Sequence, residues 1–157
     1  LVVLRAQLGR PARGVLGIAA RCVCGNPTVV ATAPRLDDGS PFPTFYYLTH
    51  PAATAAMSTL EAEHVMPELA GLLDDADVAD AYRAAHTSYL ADRAAYGEVD
   101  EIAGISAGGM PDRVKCLHVL AGQSLAMGCG VNPLGDEVLD ELGEWWRSGP
   151  CVDSPCV

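Results

Sequence analysis

The side chains best suited to chemistry are cysteines and histidines standing at the edges of expected secondary-structure elements. Cys22 and Cys24 precede a Gly25-Asn26-Pro27 turn, His50 stands before Pro51, and Cys116 and His118 follow a glycine-rich loop. Thiolate and imidazole bind borderline-soft ions and serve as nucleophile and base, and scaffolds place such groups where elements end. Cys22 and Cys24 are two apart on an expected strand, so they leave one face with Cα atoms roughly 6.5 Å apart. They either converge on one ion, with Arg21 beside them, or pack as small buried hydrophobes. His50 either caps a helix opened by Pro51 or meets Cys22 across the sheet, which requires the first and third strands to be neighbours. On an ideal helix Cys116 and His118 point about 200° apart, so a single ion takes only one of them. Cys116 is the better candidate, with Arg113, Lys115 and a helix start beside it. Cys129 sits in a glycine turn, Cys151 and Cys156 lie in the tail, and none of the three is assigned a role.

The loop from Gly104 to Pro111 has the form of an anion cradle feeding a helix, with Gly108 and Gly109 at its turn and Arg113 and Lys115 as cationic arms. Lys115 is the only lysine in the chain. The loop is not a nucleotide-binding P-loop, because Met110-Pro111 stands where Lys and Ser/Thr are required. Asp112 competes for the same backbone donors. A plain connecting loop is the alternative.

These residues need a scaffold, and the pattern predicts an α+β fold: a small antiparallel sheet in the N-terminal third, covered by about four helices. Residues 15–24 and 28–33 read as a hairpin around Gly25-Asn26-Pro27, with aromatic residues 44–49 as a third strand. Helices are expected from Pro51, from a cap at Asp77 to Gly97, from behind Pro111 to about Met127, and from about Asp136 to Trp146. Residues 1–147 form one domain in this reading, and 148–157, interrupted by Gly, Pro and Ser, form a mobile tail.

Half of the 157 residues are hydrophobic and 19% are charged, which suits a folded domain with its own core. A formal charge of −10 disfavours nucleic acid as a partner. No apolar run reaches the ~18 residues a membrane span needs. The first 50 residues are nevertheless basic, with Arg5, Arg10, Arg13, Arg21 and Arg35 against Asp37 and Asp38. They either dock on the acidic helices or face a small anionic ligand. Six cysteines without regular spacing or an export signal read as reduced thiols of the cytoplasm.

Arg21-Cys22, Pro41-Phe42-Pro43-Thr44, Leu48-Thr49-His50-Pro51, Val114-Lys115-Cys116-Leu117-His118 and Asn132-Pro133-Leu134-Gly135-Asp136 together resemble a bacterial family catalogued as domain of unknown function 501. The resemblance runs from about residue 8 to residue 140. It implies a bacterial cytoplasmic protein, and a family pattern with cysteine often standing where this chain has His50. Cysteine and histidine share metal ligation and nucleophile–base chemistry, so the resemblance singles out Cys22, His50 and Cys116 as a three-ligand group, with Cys24 or His118 as a fourth. Two functions remain open from the sequence. One is a metal- or thiol-dependent enzyme acting on a small anionic substrate. The other is a non-catalytic module in which zinc or an iron–sulfur cluster supports a surface for a partner protein.

Overall fold

The computed structural model describes residues 1–147, 149 and 151. Its centre is a three-stranded antiparallel sheet in the order β1 (Val15–Arg21), β2 (Pro27–Thr32) and β3 (Tyr46–Leu48). The Val-, Thr- and Tyr-rich runs give β-branched and aromatic side chains to a pleated surface, and Gly25 supplies the positive φ of the turn between β1 and β2. β2 is buried along its whole length. The fold is therefore α+β, as expected, with two adjustments. β1 ends at Arg21, leaving Cys22 and Cys24 in the turn, where Cys22 N donates to Asn26 O and Gly25 N to Cys22 O. β1 and β3 are not neighbours, because β2 lies between them.

Helices α2 (Pro51–Ala62), α3 (Met66–Gly71), α4 (Ala76–Ala94), α5 (Leu117–Met127) and α6 (Pro133–Leu142) follow the sheet, and a short α1 (Val2–Leu8) precedes it. Three starts differ from expectation. The cap of α4 is Asp75, whose carboxylate accepts from Asp77 N and Val78 N, so Asp77 falls in the first turn. α6 opens at Pro133 under an Asn132 cap, so Asp136 is not its start. α5 begins at Leu117 and not behind Pro111, because Gly108 O takes both Lys115 N and Cys116 N and holds that stretch extended. α1 carries no capping side chain and falls below the length at which periodicity is legible.

α5 is the central helix. Leu117, Leu120 and Ala121 are fully buried, and Gly122 lets its backbone approach the Tyr46 carbonyl of β3. Tyr82 and Tyr89 of α4 fill the core from the other side, and Tyr89 Oη accepts from Phe45 N and Tyr46 N. No helix among the described residues is long and apolar enough to cross a membrane. The expectation of a mobile tail at 148–157 lies outside the described residues except for Gly149 and Cys151. Of these two, Cys151 is buried.

Candidate functional site

The expected single cluster is two groups. Cys22 and His50 do meet, not through neighbouring strands but because both flank the start of β2. Thr49 N and His50 N donate to Thr28 O, and Cys22 N donates to Asn26 O just before that strand. The group is completed by Cys151, which sequence reasoning left without a role. Cys151 Sγ lies 3.2 Å from Cys22 Sγ, 3.0 Å from Cys24 Sγ and 3.1 Å from His50 Nε2. Cys22, His50 and Cys151 are all buried, with donor atoms close enough to share an ion. Trp145 packs edge-on against the His50 ring at 5.0 Å, which closes the site from the C-terminal side. The hydroxyl of Thr28 is buried in the same region without a hydrogen-bond partner among the described residues.

Around a zinc ion with Zn–S bonds of ~2.3 Å, tetrahedral sulfurs stand about 3.8 Å apart. The observed sulfur contacts would have to widen by roughly 0.6–0.8 Å, a side-chain adjustment. His50 also caps α2: its Nδ1 accepts from Ala52 N at 3.2 Å. One ring thus caps α2 through Nδ1 and faces Cys151 through Nε2. With Nδ1 an acceptor, the neutral ring carries its proton on Nε2 and donates it to Cys151 Sγ. Ligation through Nε2 moves that proton to Nδ1 and gives up the Ala52 bond, a loss of about 1 kcal/mol. Burial pushes the His50 pKa down, keeping the ring neutral, and pushes the Cys151 thiol up, with contacts to Cys24 and Cys22 adding to the rise.

Cys116 and His118 form the second group, with Glu61 of α2. Because Cys116 is the extended residue before α5 and not part of it, the 200° argument does not apply. Its Sγ lies 3.7 Å from His118 Nδ1. Glu61 Oε1 lies 3.1 Å from the same nitrogen and accepts from Leu117 N at 2.7 Å, capping α5 from a distant helix. On the far side of the ring, His118 Nε2 faces Thr54 O at 3.2 Å and Ser58 Oγ at 3.3 Å. The His118 pKa is pushed up to about 9, first by the hydrogen bond with Cys116, then by the Glu61 charge, against desolvation. Glu61 reads in sequence as a solvated helix face, and nothing in its spacing marks it.

Cys116 and His118 open onto a groove of about 610 Å³ that also takes in Gln7 and Arg10 at the N-terminus and Tyr47 of β3. Arg10 donates to Tyr47 Oη at 3.2 Å and, among the described residues, has no carboxylate partner. Arg13 and Arg35 are paired with Asp38 and Glu101, so part of the basic N-terminal third is neutralised internally.

The glycine loop is closed on itself. Arg113 N donates to Gly109 O and Lys115 N to Gly108 O, so these amides turn inward and not toward a ligand. A Cβ on Gly109 would sit 2.6 Å from Arg113 O, and one on Gly108 would press on Val119 and Leu120. The glycines serve that closure. Arg113 and Lys115 stand exposed on the irregular stretch between the turn and α5, not at a helix start.

Comparison with known families identifies the chain. It belongs to the family described as "Protein of unknown function (DUF501)", which matches residues 18–140. That span holds Cys22, Cys24, His50, Glu61, Cys116 and His118 but not Arg10 or Cys151. No curated protein matches the chain, and no solved structure matches it.

Proposed function

We propose that this protein is a zinc-dependent enzyme of the bacterial cytoplasm, in which Cys22, Cys24, His50 and Cys151 hold one structural ion and the adjoining groove handles a small anionic substrate. The observation that carries the reading is the convergence of the Cys22 and Cys151 thiols and the His50 imidazole on one buried point, with the exposed Cys24 thiol 3.0 Å from Cys151 Sγ as a fourth donor. Four donors of mixed nitrogen and sulfur type suit zinc, which takes Cys₃His sets in structural sites, better than an iron–sulfur cluster, which is commonly held by four cysteines. Structural zinc contributes about 10–16 kcal/mol in small metal-folded peptides, far more than the Ala52 hydrogen bond it would displace. The unpartnered Thr28 hydroxyl supports a further polar group in this region.

The groove supports ligand handling over a flat docking surface for a partner protein. It is concave, of small-molecule size, and bordered by Arg10 and His118. Reduced thiols are required for the centre, which fits a cytoplasm.

Metal analysis of protein purified anaerobically from metal-unsupplemented medium tests the centre. The expected result is zinc bound to the wild type, of which one equivalent per chain is lost in Cys22→Ser and in Cys151→Ser. Metal-free protein, or protein in which immediate alkylation under denaturing conditions finds Cys151 in a disulfide with Cys22 or Cys24, would overturn it. For the groove, phosphate titrated into wild type and Arg10→Gln should bind the variant about tenfold more weakly, the loss of one charge-assisted contact. Equal affinities would remove Arg10 from the reading.

A further inference from the structure

The geometry points to a second metal site, built by Glu61, Cys116 and His118, with one coordination position open to the groove for the oxygen of a carboxylate or phosphate. It does not depend on the four-donor centre, with which it shares no residue.

The argument begins at His118 Nδ1. Two acceptors converge on this nitrogen, Glu61 Oε1 at 3.1 Å and Cys116 Sγ at 3.7 Å. A nitrogen lone pair, a carboxylate oxygen and a sulfur repel one another unless a cation lies among them, and a proton or a metal ion can fill that role. The other side of the ring decides how well the site suits a metal. His118 Nε2 faces the Thr54 carbonyl, an obligate acceptor, so the ring keeps a proton there, and Nδ1 is the nitrogen whose proton a metal ion would replace. Backbone-carbonyl anchoring of the non-ligating nitrogen is the arrangement that orients metal-binding imidazoles.

The spacing agrees. Tetrahedral zinc with Zn–N and Zn–O near 2.1 Å and Zn–S near 2.3 Å places nitrogen about 3.4 Å from oxygen and about 3.6 Å from sulfur. The observed edges lie within roughly 0.3 Å of both. Glu61 is oriented in turn by Leu117 N, which occupies one lone pair of Oε1 and leaves the carboxylate others. Three protein ligands leave a fourth position. Cys116 and His118 line the groove whereas Glu61 stands behind them, so that position faces the groove and Arg10. An oxyanion bound there would meet the ion at one end and the guanidinium at the other.

Anaerobic titration of cobalt(II) into reduced, chelator-stripped protein tests this, because thiolate-to-cobalt charge transfer and the visible bands of tetrahedral cobalt count and distinguish sites. Two equivalents should bind. The second should carry about a third of the charge-transfer intensity of the first, one thiolate against three. Cys116→Ser and Glu61→Gln should each remove the second equivalent and leave the first. Glu61→Gln keeps a carbonyl acceptor for Leu117 N, so the start of α5 is preserved and loss of binding reports on the ligand. Phosphate in one arm and acetate in another should shift the visible band of the second equivalent only, and the arm with the larger effect names the oxyanion class. A second equivalent that survives Glu61→Gln, a wild-type stoichiometry of one that Cys116→Ser leaves unchanged, or a band that neither anion moves would overturn the site. Loss of the first equivalent alone would sink the structural centre and leave this inference standing.

Discussion

Stripping the ion from the Cys22–Cys24–His50–Cys151 centre should lower the melting temperature of the reduced protein by about 8–16 °C. A ligand that binds only the folded state stabilises by RT ln(1 + [L]/Kd), about 4 kcal/mol at a free concentration a thousand times Kd. In a domain of this size each kcal/mol moves Tm by about 2–4 °C. Without the ion, the Cys151 stretch is joined to the sheet through sulfur contacts and the His50 hydrogen bond, each worth about 1 kcal/mol, together with Trp145 packing on the His50 ring. The assay is differential scanning fluorimetry in the presence of a non-thiol phosphine reductant, with zinc buffered at fixed free concentration or held near zero by a chelator. Cys151→Ser should lose most of the zinc response, because a hydroxyl replaces the thiolate that touches all three other donors, and keep only what an ion at Glu61, Cys116 and His118 contributes. A wild-type curve indifferent to zinc would refute the reasoning. So would a stabilisation of equal size in wild type and Cys151→Ser, which would place the responding ion elsewhere.

Asn132→Ala should cost about 2–4 kcal/mol in denaturant unfolding, because it removes the cap on Gly135 N at the start of α6 and the Nδ2 donor that satisfies buried Gln123 Oε1. Gly135→Ala should destabilise by about 1–3 kcal/mol or more, since its Cβ would press on the Leu120 carbonyl and the Ser124 hydroxyl where α5 and α6 touch. His86 has its pKa held down, by burial first, with Asp112 opposing and Arg93 adding to the shift, and its Nδ1 lies 2.7 Å from Ser106 Oγ. A depressed folded pKa favours folding at pH above the unfolded value of about 6.5 and loses that contribution as pH falls below it. Urea midpoints measured from pH 7.5 to 5 should therefore fall less steeply in His86→Gln than in wild type, and parallel profiles would remove His86 from the acid response.

The sheet was legible because three independent signals agreed: β-branched and aromatic runs, turn residues between them, and lengths suited to strands. The starts of α4, α5 and α6 were less so. A proline or an acidic residue near a helix start marks a neighbourhood, whereas the boundary is set by where backbone groups find partners. At α5 those partners are tertiary, with Gly108 O holding residues 115 and 116 extended and Glu61 receiving Leu117 N from 56 residues away. No local pattern encodes either contact. Cys151 was set aside for a related reason. Its Gly/Pro/Ser surroundings read as tail, while the signal against that lay five residues upstream, in an adjacent Trp145-Trp146 pair too apolar for a free end.

The sequence reading that joined Cys22, His50 and Cys116 into one group chose reactive side chains whose positions a single helix holds apart. α2 runs from His50, its cap, to Glu61 in its last turn, 11 residues and so roughly 16 Å of helix axis. His50 faces the thiols gathered at the start of β2, and Glu61 faces Cys116 and His118 before and within α5. Thr54 O, one turn into α2, fixes the far nitrogen of His118, so the same helix also supplies an orienting group. Chemistry-bearing residues at both ends of one rigid element cannot share an ion, but they can hold two sites at a fixed separation. The closed, sulfur-rich group is enclosed by the sheet edge and Trp145, and the open, three-donor group borders the groove. That division follows from burial: Cys22, His50 and Cys151 are buried, whereas Glu61, Cys116 and His118 are half-buried, and Cys116 and His118 line the groove.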